Sequence, residues 1–133
     1  LREKGHEFGV TTGRPRRCGW LDIPLLKHAV RVNGLTQLAL TKLDVLSGIE
    51  EIKVCTGYKK DEKIIKEVSG NNDDYQPLYD SYPGWEDDIS QIRKFENLPE
   101  NAQKYVCEIE KMVETPISII GVGPEREEAI IRE

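Results

Sequence analysis

Three short stretches hold the residues whose types and spacing could do chemistry. The first is "VTTGRPRR", Val10 to Arg17. Thr11 and Thr12 offer hydroxyls, Gly13 offers an uncrowded backbone N–H, and Arg14, Arg16 and Arg17 offer planar guanidiniums. Such donors suit the oxygens of a carboxylate or a phosphate, which a guanidinium can take in pairs. Pro15 stiffens the span and so reduces the entropy lost on binding. The same residues equally suit a solvated basic loop paired with acidic neighbours. The second stretch is "TKLD", Thr41 to Asp44, after an apolar run. An aspartate here can accept from two adjacent donors on a purine. The lysine methylenes can lie over the ring while the ammonium is solvated or hydrogen-bonded. A surface turn capped by Asp44 needs no other residues than these. The third is "GVGPER", Gly121 to Arg126. Its glycines let a ligand approach the backbone, and Pro124 can open a helix whose N-terminus attracts anions. A plain strand-to-helix turn has the same composition.

Charge narrows what these loops can serve. The chain of 133 residues carries 19 basic and 24 acidic side chains, a formal charge of −5. That balance argues against general nucleic-acid or anionic-membrane binding. Against it, the arginine cluster reads as a local anion site. Cys18, Cys55 and Cys107 are widely spaced and form no zinc pattern. A sparse, odd count fits reduced thiols and a cytoplasmic setting. No apolar run is long enough to span a bilayer. His6 and His28 have no partner pattern, and Trp20 and Trp85 read as packing residues. The start at Leu1, in what reads as the tail of a helix stopped by Gly5, suggests a piece of a longer chain.

Elements that could position the loops follow from periodicity and punctuation. "LDIPLLKHAVRVNG" predicts a helix capped by Asp22, with Pro24 in its first turn and Asn33-Gly34 at its end. Leu25, Leu26, Ala29 and Val30 should line one face. Leu38 to Leu40 predicts a short strand, and "EEIKVCTGYK" another with "EKIIKEVSG" as its partner. Residues 69 to 90 read as an extended loop region. "LPENAQKYVCEIEKMVET" predicts the clearest helix, with Ala102, Tyr105, Val106, Ile109, Met112 and Val113 at helical spacing and Pro116 at the stop. "PISIIGVGP" is a buried strand, and "PEREEAIIRE" a final helix or extended tail. The class is α/β with a mixed, largely parallel sheet and flanking helices. In such sheets ligands bind at the carboxyl ends of strands, where both "TKLD" and "GVGPER" would lie.

"TKLD" is similar to the N-K-x-D element of guanine-nucleotide proteins, with Thr41 in place of asparagine. More specifically, "GHEFGVTTGRPRRCGWLD", "NGLTQLALTKLDVLSGIEEIKVCTGY", "PLYDSYPGWEDD", "LPENAQKYVCEIE" and "PISIIGVGPERE" together resemble the carboxyl-terminal part of adenylosuccinate synthetase, in collinear order over nearly all of residues 1–133. The resemblance implies a portion of a larger P-loop-NTPase-like domain. The family joins IMP and L-aspartate to give adenylosuccinate, using GTP and Mg²⁺, in the cytoplasm and as a homodimer. Val10, Thr11, Thr12, Gly13 and Arg14 match its aspartate-binding loop, and Arg14 also faces IMP there. Arg16 matches a position facing the GTP phosphates. Lys42, Leu43 and Asp44 match the guanine-recognition loop, and Gly121, Val122 and Gly123 a second guanine-contacting loop. Many members carry serine and threonine where Gly121 and Val122 stand, so a side-chain hydroxyl is absent here while backbone donors are kept.

The resemblance also says what the 133 residues do not contain. The family's glycine-rich phosphate loop, catalytic aspartate and catalytic histidine belong to its amino-terminal part. In the family that aspartate removes the N1 proton of IMP, GTP phosphorylates O6, and the amine of L-aspartate displaces phosphate. This chain would supply substrate recognition and charge stabilisation, without a catalytic residue or metal ligand of its own, and alone should be inactive. The alternative is a non-catalytic guanine-nucleotide-binding module derived from the same family.

Overall fold

The structure, a computed structural model, describes residues 1–67 and 74–132. Among the described residues, two small sheets and two α-helices enclose one core. In the first sheet β3 (Glu51–Lys60) is the hub. It pairs in parallel with β1 (Leu21–Asp22) and antiparallel with β4 (Lys63–Ile65) and β5 (Gln76–Pro83). In the second sheet, β2 (Leu38–Leu40) runs parallel to β6 (Ile117–Gly121), which pairs antiparallel with β7 (Ala129–Ile131). The expected mixed α/β class is present, but as two sheets with two parallel and three antiparallel pairings. Among the described residues the two sheets are therefore mixed and not largely parallel.

Helix α1 (Ile23–Asn33) begins where Asp22 Oδ1 accepts the Leu25 N–H at 2.9 Å, and it ends at Gly34 with φ 60°. Tyr58 donates its hydroxyl to the other oxygen of Asp22, so one carboxylate caps the helix and ties it to β3. The apolar face expected on α1 is only partly covered. Leu25 is 52% exposed and Leu26, Ala29 and Val30 are half-buried, while Ile23 and Pro24 are the residues that reach the core.

Helix α2 (Glu100–Val113) follows its pattern closely: Ala102, Tyr105, Val106, Ile109 and Val113 are buried against Ile52, Val54, Trp85 and Ile89. It stops at Glu114, which takes a left-handed φ of 56°, two residues before Pro116. Glu110 Oε1 then accepts from the Ile117 N–H and from the Arg132 guanidinium, each at 2.7 Å, so α2 is locked to β6 and the chain beyond β7. In β6 the register slips: Leu38 faces Ile117, but Ala39 faces Ile119. Ser118 is the extra residue of this bulge, which is why Ile117 and Ile120 both reach the core and Ile119 is exposed.

Three expectations change. Residues 69–73 of the expected loop lie outside the described residues, but residues 76–83 form β5, whose side chains are mostly exposed. Pairing along β3, and not a hydrophobic alternation of its own, makes it a strand; Pro77 and Pro83 are tolerable at an edge. Leu1 to Lys4 make turns, with Gly5 N–H on Leu1 O at 2.8 Å, and no helix. After Pro124 no helix opens; one turn, Glu128 N–H to Glu125 O at 3.0 Å, leads into β7, which bears out the extended reading of the tail.

Candidate functional site

The arginine stretch folds as a small hairpin. Phe8 and Pro15 form a bridge, Gly9 N–H donates to Arg14 O at 2.8 Å, and Arg16 N–H donates to Glu7 O at 2.9 Å. Gly13 turns the tip at φ 64°, a conformation open to glycine at no steric cost. Val10, Thr11, Thr12, Gly13 and Arg14 are all exposed there, Val10 at 97%. Thr12 Oγ1 accepts from the Arg14 N–H at 3.3 Å.

At the hairpin's neck the side chains turn inward. Glu7 accepts from the Arg16 guanidinium at 2.9 Å and from the Lys42 ammonium, which also donates to Gly5 O at 2.7 Å. The contact with Lys42, then that with Arg16, holds the Glu7 carboxyl below its ordinary value. Lys42 itself has φ 61°, uncommon for a residue with a side chain. That backbone turn sends its ammonium back to Gly5 and Glu7 and starts the 3₁₀ turn Leu43–Leu46, in which Leu43 is buried and Asp44 half-buried.

The guanine-type loop and the glycine turn meet because β2 and β6 are parallel neighbours, with Leu40 beside Ile120. A Cβ on Gly121 would stand 3.4 Å from Thr41 Cα, so the two loops touch. Val122 is wholly buried and its N–H donates to Glu128 O at 2.8 Å; its side chain and its donor both serve the turn. A Cβ on Gly123 would stand 2.2 Å from the Glu128 carboxylate, which accepts the Glu125 N–H at 2.9 Å. Around this junction Lys42, Asp44, Gly121 and Gly123, with Pro124 and Glu128, line a pocket of about 490 Å³. Asp44 Oδ1 is buried beside it and has no hydrogen-bond partner among the described residues. An orphaned buried acceptor costs about 1–3 kcal/mol, a cost that a ligand's donors can remove.

Next to this pocket opens a larger cleft of about 680 Å³, lined by Arg16, Arg17, Asp22, Lys42 and Leu43 and by apolar residues of β1 and α1. Lys42 borders both spaces. The structure thus brings together Arg16, Lys42, Leu43, Asp44, Gly121 and Gly123, with Val122 behind them. It does not bring Val10, Thr11, Thr12, Gly13 or Arg14 to either space. Sequence reasoning passed over Glu7 and Glu128. Each acts across a turn whose closure no local pattern announces. Among the described residues no group of three His, Cys, Asp or Glu side chains is placed to hold a metal ion, and no helix is long and apolar enough to cross a membrane.

Residues 1–130 match the family model described as adenylosuccinate synthetase. The chain belongs to the adenylosuccinate synthetase family. The adenylosuccinate synthetase of Halothermothrix orenii is 65% identical over 136 residues, which cover 100% of this chain and 32% of that protein. That of Caldanaerobacter subterraneus is 55% identical over 134 residues, covering 98% of this chain and 31% of its own length. A solved structure of fully ligated adenylosuccinate synthetase from Plasmodium falciparum matches with a TM-score of 0.95 and 47% identity, over 99% of this chain and 33% of that one. The chain therefore spans about a third of the length of the adenylosuccinate synthetases it matches. The hairpin, the parallel β2–β6 pair and the glycine turn belong to a fold that it shares with that solved structure.

Proposed function

We propose that this chain is the region of an adenylosuccinate synthetase that binds L-aspartate and the guanine base of GTP, in a reaction joining IMP and L-aspartate. One observation carries the reading: the buried, unpartnered Oδ1 of Asp44 beside the pocket where the β2 and β6 loops meet. Guanine presents N1–H and an exocyclic amine side by side, two donors for one carboxylate. The Lys42 ammonium is already held by Glu7 and Gly5, which leaves its methylenes to border the base. The Gly123 N–H has no hydrogen-bond partner among the described residues and is the backbone donor on offer to the base.

Arg16, which lines the larger cleft, would offset phosphate charge. Thr11, Thr12 and Arg14, exposed at the hairpin tip, would supply hydroxyl and guanidinium donors to the carboxylates of L-aspartate, whereas the Gly13 N–H is already donated to Gly9 O at 2.8 Å. Mg²⁺ would travel with GTP and be held by parts of the enzyme outside this chain, where it would neutralise phosphate charge. The general base and phosphate loop are likewise assigned outside it, so purified alone the chain should form no adenylosuccinate. Turnover by the pure chain that Arg14→Ala abolishes would contradict that division of labour.

The decisive measurement uses a full-length enzyme in which this chain is the carboxyl-terminal third. Asp44→Asn replaces one acceptor by a donor, which mismatches guanine and matches xanthine, where a carbonyl replaces the amine. The ratio of kcat/KM for XTP over GTP should rise at least about tenfold, an energy of about 1.4 kcal/mol. A folded variant whose ratio does not move rules out the guanine reading. Asp44 makes no side-chain cap to its turn, so a merely structural loss would lower both efficiencies alike.

A further inference from the structure

We infer that Glu7 is a positioning residue that couples the two substrate loops, so that the nucleotide seated by one changes the affinity of the other for L-aspartate. The inference rests on the proposed assignment of those loops and adds a link between them. One carboxylate, 24% exposed, is shared by two cations from separate segments: Arg16 on the hairpin's return strand and Lys42 in the guanine-type loop.

The backbone extends the link in both directions. On the hairpin side, the Glu7 carbonyl accepts the Arg16 N–H, and the next rungs are the Phe8–Pro15 bridge and the Gly9 N–H on Arg14 O. A shift of Glu7 is therefore a shift of the strand pair that carries Arg14. On the other side, Lys42 is the left-handed residue from which the turn bearing Asp44 starts, and its ammonium also grips Gly5, which is buried. Pinning Asp44 with a base thus pins Lys42, Glu7 and the hairpin neck in sequence. Without the shared carboxylate, Arg16 and Lys42 are like charges in one neighbourhood, each about half exposed and free to swing away.

Coupling of this kind is reciprocal in binding free energy. The test is calorimetric binding of L-aspartate to the full-length enzyme with IMP present, with and without the non-hydrolysable β,γ-imido analogue of GTP. In wild type the analogue should tighten L-aspartate by at least about fivefold, the lower end of ordinary allosteric coupling. Glu7→Gln keeps the shape and removes the charge, and should cut that factor at least about threefold, on the same scale. Lys111→Ala is the control. It breaks an exposed ion pair with Glu108 on α2, away from both loops, so the coupling factor should stay as in wild type.

A merely structural role lowers the thermal midpoint and weakens both ligands without changing the factor. The inference is overturned by a factor near one in wild type, or by an unchanged factor in folded Glu7→Gln. The loop assignment is read separately by the XTP preference of Asp44→Asn. A normal switch to XTP with intact coupling in Glu7→Gln therefore sinks this inference alone.

Discussion

Arg14 and Arg16 stand two residues apart and have opposite circumstances. Arg16 is engaged by Glu7, whereas among the described residues the Arg14 guanidinium makes no ion pair and stands exposed at the hairpin tip. A free fork suits a dicarboxylate ligand, and a charge-assisted pair contributes about 1.5–3 kcal/mol. In the full-length enzyme, Arg14→Leu should raise the KM for L-aspartate at least about tenfold and lower kcat as well. Arg14→Lys should recover little, since an ammonium cannot reproduce the planar fork. Initial rates against L-aspartate concentration decide it; an unchanged KM in Arg14→Leu removes Arg14 from the aspartate site. Glu7 adds a pH dependence of its own. Its folded pKa is depressed, so its ion pairs stabilise the chain above the ordinary glutamate value of 4.5 and are lost as pH falls through the lower folded value.

At the scale of elements, the joint between β3 and β5 is where, among the described glycines, an added Cβ would meet the closest obstacle. Gly84 follows β5, donates its N–H to Glu50 O at 2.9 Å, and accepts from Asn101 Nδ2 at 2.8 Å through its carbonyl. A Cβ there would stand 1.6 Å from Ile49 O, a backbone atom that no rotamer change can move aside. Gly84→Ala should therefore push β5 off β3 and loosen the α2 start, costing about 1–3 kcal/mol or more. Gly34→Ala is the useful contrast: φ is 60° but nothing lies within 4 Å of the added carbon. It should cost only about 1 kcal/mol, from backbone strain. Urea midpoints of the two variants should differ in that order, and equal midpoints would show that the Ile49 contact relaxes freely.

The whole molecule is organised around an aromatic cluster that joins sheet to helix. Tyr105 of α2 meets Tyr82 of β5 edge-on at 6.2 Å and Trp85 at the same distance. Burial pushes the Tyr105 hydroxyl up to about 12; it also raises Tyr82, and raises Tyr58 still more strongly with help from Asp22. Between the ordinary tyrosine value of 10 and these raised values the folded chain holds protons that the unfolded chain has released. By linkage, stability is whole below the ordinary value and falls as pH rises through the raised ones. Denaturant midpoints should decline across that window, and Tyr82→Phe should blunt the decline. A flat midpoint from pH 10 to 12 would contradict the burial of these hydroxyls.

Much of this was legible in the chain itself. Asp22 before an apolar run, Gly34 after it and the 3.6-residue rhythm of α2 are local signals, and local backbone chemistry decides them. Leu38 to Leu40 and the "TKLD" turn were readable for the same reason, and collinear motifs were enough to point to the family. The rest depends on partners distant in sequence. β5 is a strand because β3 offers it a ladder, although its own side chains are mostly exposed. The bulge at Ser118 exists only against β2. Val122 turned out to be a core residue, its N–H spent on Glu128, because the chain folds back into β7 where a helix was expected. Glu7 could not be singled out, since its two cations lie 9 and 35 residues away and meet only when the hairpin closes onto the β2 loop. Residue types set which ligands could be held. The parallel pairing of β2 and β6 decided which residues could hold one together.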